Sequence, residues 1–292
     1  MGYAFETVDV FTERRFGGNP LAVFTDARGL SDADMQALAF EFNLSETTFV
    51  LPPADPANSA RIRIFNRTAE MAFAGHPSIG TAYVLARAGK SYGDRLRLEA
   101  PAGVIAVDIE REAGAVVGGK ITAPRPLTLG RTFAPELVAP CIGLAPEAVN
   151  TRAHPPMLCS VGNPYIIVEI APADLARGAP DLVAFRAAYD GGADLLERFS
   201  LYVYARDGEV VRARMFAPLS GTWEDAATGS AATPLAALLL HLSGGEHIAF
   251  DIRQGEHMNR PSLLRAGAHR TEAGIVATVA GRCVSVFKGE LQ

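Results

Sequence analysis

The chain has 292 residues, 49% of them hydrophobic and 20% charged, with a net charge of −5. That size buries a large core and predicts two domains. The acidic balance and the lack of a long basic run exclude a nucleic-acid or anionic-membrane partner on electrostatic grounds. Cys141, Cys159 and Cys283 are scattered singly, which argues against a disulfide framework and a cysteine metal site and for three small core residues. No basic region followed by an apolar run opens the chain, and the most apolar window, Pro234 to Leu242, is too short to span a bilayer. The expectation is a cytoplasmic protein.

In chain order, Tyr3 to Phe11 reads as a strand, Phe16-Gly17-Gly18-Asn19-Pro20 as a tight turn and Leu21 to Phe24 as a second strand. Ser31 to Phe42 is an amphipathic helix with Ser31 and Asp34 as its capping pair. Asn43 to Glu46 ends it and leads into the strand Thr47 to Leu51, and Ala60 to Phe65 alternates as another strand. Gly75-His76-Pro77 opens an apolar helix from Pro77 to Ala88, with Gly89 as its stop. Strands follow at Arg95 to Leu98, Val104 to Ile109 and Val116 to Ile121. Pro124 and Pro126 mark a domain boundary, and Pro135 to Val149 reads as helical. Met157 to Ser160 and Tyr165 to Ile170 are strands around Val161-Gly162-Asn163-Pro164, and Asp181 to Tyr189 is a helix. Strands at Leu201 to Ala205 and Val210 to Phe216 precede a loop, Ala217 to Thr228. Gly229-Ser230 then opens the apolar helix Ala231 to Leu242. Short strands at His247 to Ile252, Leu263 to Ala266, Ile275 to Val279 and Cys283 to Phe287 complete the chain.

The order of motifs repeats. Gly18-Asn19-Pro20 matches Gly162-Asn163-Pro164, Arg63-Ile64-Phe65 matches Arg214-Met215-Phe216, and Glu70 before Gly75-His76 matches Glu224 before Gly229-Ser230. A period this long implies two similar domains rather than a solenoid. The expected α+β architecture is two pseudo-symmetric β-rolls, each wrapped round a central helix. The domains are 1–123 and 124–281, with a final strand at about 282–292 returning to the first. A helix apolar all round belongs inside a sheet. Its start offers N–H groups and a partial positive charge to an anion. Two such starts across an interdomain cleft suit a small carboxylate.

The candidate chemistry is proton transfer. His76, at a helix start, has its pKa lowered by the dipole and is neutral. Asp225 can bind a hydroxyl or amino group, or only complement the dipole of its helix. Ser230 can contact a ligand or cap that helix. Glu46, beside Phe49 and Val50, is either a shielded proton shuttle or a solvated loop residue. Asn19, Gly75, His76, Gly229 and Ser230 are the expected substrate-binding residues. Nucleotide-binding and His-Glu-x-x-His metal motifs are absent from the sequence.

These residues lie in longer motifs: Leu44-Ser45-Glu46-Thr47-Thr48-Phe49, Ala74-Gly75-His76-Pro77-Ser78-Ile79-Gly80, Glu224-Asp225-Ala226-Ala227-Thr228-Gly229-Ser230 and Gln254-Gly255-Glu256-His257-Met258-Asn259-Arg260-Pro261-Ser262. Together with Phe16-Gly17-Gly18-Asn19-Pro20 they resemble the PhzF-like family of phenazine biosynthesis over almost the whole chain. The resemblance implies a diaminopimelate-epimerase-like fold and a homodimer. It also implies a cofactor-independent isomerase, the founding reaction being that of trans-2,3-dihydro-3-hydroxyanthranilate. Glu46 matches the family's proton-moving glutamate; His76, Asp225 and Ser230 match its other polar site residues. Two positions depart from the family pattern: Ala226 stands where Pro is usual and Asn259 where Gly is usual. The fold's racemases carry cysteines where this chain has Ala74 and Thr228, which argues against two-thiol chemistry. An epimerase working without thiols and a non-enzymatic binding protein are the competing readings.

Overall fold

The computed structural model describes residues 2–89, 93–191, 199–208 and 210–292. The chain divides into two units, one of residues 1–122 with 280–292, the other of residues 123–279.

The first unit holds β1 (Tyr3–Val10), β2 (Asn19–Phe24), α1 (Asp32–Phe42), β3 (Glu46–Leu51), β4 (Ala60–Phe65), β5 (Glu70–Met71), α2 (Gly75–Arg87), β6 (Arg95–Ala100), β7 (Gly103–Glu112) and β8 (Ala115–Thr122). β1 pairs with β2 antiparallel, β2 with β3 parallel, β3 with β4 and β4 with β5 antiparallel, and β4 with β6 parallel. β6, β7 and β8 continue as antiparallel neighbours. The capping box of α1 forms as its sequence dictates. The Asp34 N–H donates to Ser31 Oγ at 3.1 Å, and the Ser31 N–H to Asp34 Oδ2 at 3.1 Å. Asn43 closes that helix in the left-handed conformation, φ 51°.

The second unit holds β9 (Thr128–Thr132), α3 (Pro135–Val138), β10 (Met157–Ser160), β11 (Pro164–Glu169), α4 (Pro172–Leu175), α5 (Leu182–Gly191), β12 (Leu201–Asp207), β13 (Val210–Ala217), β14 (Thr222–Asp225), α6 (Gly229–Ser243), β15 (His247–Gln254) and β16 (Ser262–Thr271). Its pairings repeat those of the first unit in kind and order. β10 with β11 is antiparallel, β11 with β12 parallel, β12 with β13 and β13 with β14 antiparallel, β13 with β15 parallel, and β15 with β16 antiparallel. The division between units falls inside β17 (Gly274–Leu291), whose later residues pair antiparallel with β1.

Several elements differ from the sequence reading, β5 and α4 being additional to it. The stretch 135–149 is not one helix: α3 gives way to 3-10 turns at Pro140–Ile142 and Pro146–Ala148, because each proline lacks an N–H, Gly143 turns left-handed at φ 66° and Ala145 is extended before Pro146. The expected loop 217–228 contains β14. β9 is exposed throughout and shows no alternation to read. β17 is one strand rather than two. Gly281 in its middle is a slot, not a break: a Cβ there would lie 2.2 Å from the Phe11 ring.

α2 packs against β1, β2, β3, β6, β7 and β8, and α6 against β10, β11, β15 and β16. Gly75 to Leu85 are all buried in α2, as are Gly229 and Ala231 to Leu240 in α6. The apolar sequence of each helix demands this, since each fully buried Leu or Ile contributes about 1.5–3 kcal/mol. Gly80 lets α2 approach its strands; a Cβ there would meet Leu21 Cδ2 at 2.6 Å and Val10 Cγ2 at 2.8 Å. Pro234 lies inside α6. The Ser230 carbonyl that its missing N–H would have served takes the Thr233 hydroxyl at 3.4 Å.

The repeat also has a side-chain counterpart. Arg63 on β4 grips Glu70 on β5 through Nε to Oε1 at 2.8 Å and Nη2 to Oε2 at 2.7 Å. Arg214 on β13 grips Glu224 on β14 through the same atoms, both at 2.8 Å. Each guanidinium also lies over a phenyl ring two residues on, Phe65 or Phe216. These bidentate pairs tie down the short strand that precedes each central helix. The second pair is the more buried, and Arg214 Nη1 also donates to the carbonyls of Leu175 at 2.9 Å and Gly178 at 2.5 Å. Arg214→Met therefore strands a buried carboxylate and two carbonyls and is expected to cost about 3–5 kcal/mol in urea unfolding, against about 1 kcal/mol for Arg63→Met. Equal losses at the two positions would contradict the role assigned to burial.

Candidate active site

In the first unit the parallel pairing of β2 and β3 sets Leu21 beside Glu46, so the two strands begin together. Asn19 is the first residue of β2, Glu46 the first of β3, and His76 lies in the first turn of α2. The structure brings these three side chains into one cluster. His76 Nδ1 lies 3.3 Å from Asn19 Nδ2, and His76 Nε2 lies 3.1 Å from Glu46 Oε2, in ion-pair range but off hydrogen-bond alignment. Glu46 is not a solvated loop residue; its side chain is 15% exposed, and that of His76 6%.

Burial lowers the His76 pKa to about 3, while a hydrogen bond with the Pro20 backbone acts in the opposite sense. The ring is neutral, as its position at a helix start suggested, but the cause is desolvation. A neutral imidazole has one donor and one acceptor nitrogen; with the Asn19 Nδ2 donor set against Nδ1, the hydrogen falls on Nε2, the nitrogen that faces Glu46. The N-cap of α2 is Ala74, which has no side chain to cap the helix, and Gly75 follows it. The first-turn N–H groups at Gly75 and His76 therefore have no side-chain cap to satisfy them.

The second unit gathers Asp225, Thr228 and Gln254. Asp225 ends β14 and is 8% exposed. Thr228 stands at the N-cap of α6 but does not cap it; its hydroxyl donates to Asp225 Oδ2 at 2.6 Å. Gln254, at the end of β15, reaches both of them. Ser230 is neither a cap nor beside Asp225 in this network: its hydroxyl meets the Tyr165 hydroxyl at 2.7 Å. Gly229 opens the helix between them.

Of the two family departures, Asn259 has a local explanation and nothing in the structure explains Ala226. Asn259 is exposed and left-handed at φ 55°, a conformation in which Asn is the usual substitute for Gly. Ala226 is buried, and its carbonyl accepts from Ser262 Oγ at 2.9 Å. Gly255 is close by at φ 76°, where a Cβ would lie 2.5 Å from that carbonyl. Cys141, Cys159 and Cys283 are all buried. Burial pushes the Cys141 and Cys159 thiols up to about 12 and raises that of Cys283 as well, so none is a thiolate. Among the described residues, no helix is long and apolar enough to cross a membrane.

An α+β chain with a carboxylate, a neutral imidazole and uncapped helix starts in place of thiols has the equipment for acid–base chemistry on a small acid. The profile of the family described as "Phenazine biosynthesis-like protein" matches residues 8–289, and the chain belongs to that family. It is an isomerase of the PhzF type. The trans-2,3-dihydro-3-hydroxyanthranilate isomerase of Pseudomonas chlororaphis is 37% identical over 293 residues, 97% of each chain. An uncharacterized isomerase of Mesorhizobium japonicum is 36% identical over 298 residues, 97% of this chain and 96% of its own. Among solved structures, a PhzF-family protein of Bacillus anthracis superposes with a TM-score of 0.88 at 24% identity, covering 100% of this chain and 99% of that one. A probable proline racemase of Agrobacterium radiobacter shares the fold, with a TM-score of 0.67 at 16% identity over 99% and 93% of the two chains.

Tyr165, Tyr202 and Gln254 join the predicted site residues only in the structure. The late Gln254-Gly255 motif was the one sequence signal for any of them. The buried imidazole has a measurable consequence. Its folded pKa lies below the unfolded value near 6.5, so the unfolded chain binds the extra proton between about pH 3 and 6.5. The stability contributed is complete above pH 6.5 and is lost as pH falls toward 3. From pH 7 to pH 5 the wild type is expected to lose about 2 kcal/mol more than His76→Asn in urea unfolding. Parallel losses in the two proteins would show that His76 is not buried neutral.

Proposed function

We propose that the protein is a cofactor-independent isomerase of a small cyclic or unsaturated carboxylic acid, with Glu46 moving the proton. The observation that carries this reading is the shielded Glu46 carboxylate at the head of β3, 3.1 Å from the neutral ring of His76. The proposed architecture is a pair of pseudo-symmetric β-rolls whose helix starts share one substrate. The N–H groups at Gly75-His76 and Gly229-Ser230 hold its carboxylate, where two partial positive charges favour an anion. Asp225 accepts from a hydroxyl or amino group of the substrate, and Asn19 and His76 line the reacting side.

In the proposed step the Glu46 carboxylate takes a proton from one carbon, the electron pair shifts along the unsaturated system, and Glu46 returns the proton to another carbon. No atom is gained or lost, so an isomerisation needs no second reactant. His76, neutral throughout, stays beside the carboxyl group as its charge changes. The P. chlororaphis relative makes trans-2,3-dihydro-3-hydroxyanthranilate the first compound to test. The wild type is expected to turn it over, and Glu46→Gln, which keeps the shape and removes the base, to lose about 100- to 10,000-fold in kcat. Full activity in Glu46→Gln would remove Glu46 from the mechanism. Exchange of solvent deuterium at the α-carbons of amino acids, without turnover of the cyclic acid, would favour an epimerase instead.

A further inference from the structure

The Gln254 side chain is 1% exposed and makes four hydrogen bonds, two of them to backbone groups whose polarity cannot change. The Thr228 N–H can only donate, so the atom it meets at 3.2 Å is Oε1. The Asp225 carbonyl can only accept, so the atom it meets at 2.9 Å is Nε2. The amide therefore has one orientation. Nε2 is a donor only, so the Thr228 hydroxyl oxygen, 3.0 Å away, accepts from it. The single hydroxyl hydrogen of Thr228 is then left for Asp225 Oδ2 at 2.6 Å. At the other end the Tyr202 hydroxyl donates to Oε1 at 3.2 Å. Every hydrogen in the chain is directed, and Asp225 Oδ2 stands at its end as an acceptor.

We propose that Gln254 is a positioning residue that, through the Thr228 hydroxyl, holds Asp225 as a carboxylate accepting at Oδ2. This leaves Asp225 to bind a donor on the substrate and not to act as the acid. The catalytic consequence rests on the reading of Asp225 given above; the hydrogen-bond assignment does not. The Tyr202 phenol on β12 is a titratable neighbour of Asp225, and burial holds it protonated.

The isosteric change Gln254→Glu replaces the donor Nε2 with an oxygen. The Thr228 hydroxyl then turns its hydrogen toward residue 254, and Asp225 loses the Thr228 donor and gains a negative neighbour. Thr228→Val removes the same donor from the other side. In the full-length protein with 13C-labelled aspartate, the Asp225 carboxyl is expected to titrate at higher pH in both variants than in the wild type. With trans-2,3-dihydro-3-hydroxyanthranilate, kcat/KM is expected to fall about 10- to 100-fold in each, the cost of a hydrogen bond to a charged group. The double variant should be no worse than the poorer single one, and Thr228→Ser should recover most of what Thr228→Val loses. An unchanged Asp225 titration in Thr228→Val overturns the proposal even if Gln254→Glu fails to fold, and additive losses in the double variant overturn it as well. If the wild type does not turn the compound over, the substrate reading fails while the titration still decides the role of Gln254.

Discussion

A helix buried on every face has only its ends left to offer. α2 and α6 meet that condition, each enclosed by the strands of its own unit. The constraint explains why the polar residues of interest cluster where they do. Within the helices there is no room for them; Gly80 already marks a contact too close for a methyl group. At the helix starts the backbone N–H groups need partners, and neither N-cap residue supplies one. The Arg63–Glu70 and Arg214–Glu224 pairs then tie down the strand leading into each start.

The two starts share this frame and differ in chemistry. One carries a desolvated imidazole between an amide and a carboxylate. The other carries the Thr228 hydroxyl and the Gln254 amide, whose hydrogens are directed. The difference matters because proton transfer and proton fixation need opposite things. In the proposed mechanism the uncharged His76 ring beside Glu46 adds no fixed charge that would hold its carboxyl in one state. A fixed acceptor needs donors that cannot reverse, which the Gln254 amide gives Asp225 through Thr228.

Much of the frame was legible in the sequence. The apolar runs of α2 and α6, the Ser31–Asp34 cap and the ordered repeat follow from periodicity, capping chemistry and motif spacing. What was not legible depends on contacts far apart in the chain. β5 and β14 are too short to show alternation, and only the Arg–Glu pairs across them reveal why they exist. Gly281 reads as a break because a glycine in a strand usually is one; its reason is the Phe11 ring, 270 residues away in sequence. Glu46 and His76 were legible as residues but not as a pair, since the packing of α2 against β2 and β3 is what brings them together. The neutrality of His76 was expected from the helix dipole, yet its burial, which no local pattern announces, is the larger cause.

The duplication finally bears on how many bases the chain can field. Leu21 in β2 pairs with Glu46, and in the other unit Ile166 in β11 pairs with Leu201, the residue after Ser200. Aligned through the repeated Asn-Pro turns, Leu21 corresponds to Tyr165, so Glu46 corresponds to Ser200 rather than to any acid. Ser200 is buried and its hydroxyl does not titrate near neutrality. The matching helix start carries Ser230 where the other has His76, and its hydroxyl is engaged with Tyr165. A two-base exchange at carbon needs a titratable group contributed from each half. By residue chemistry this chain supplies one from the first half, and from the second an aspartate whose bonded oxygen already accepts a hydrogen. Under the proposed mechanism the first half therefore carries the mobile proton, while the second supplies a fixed acceptor on the same kind of frame.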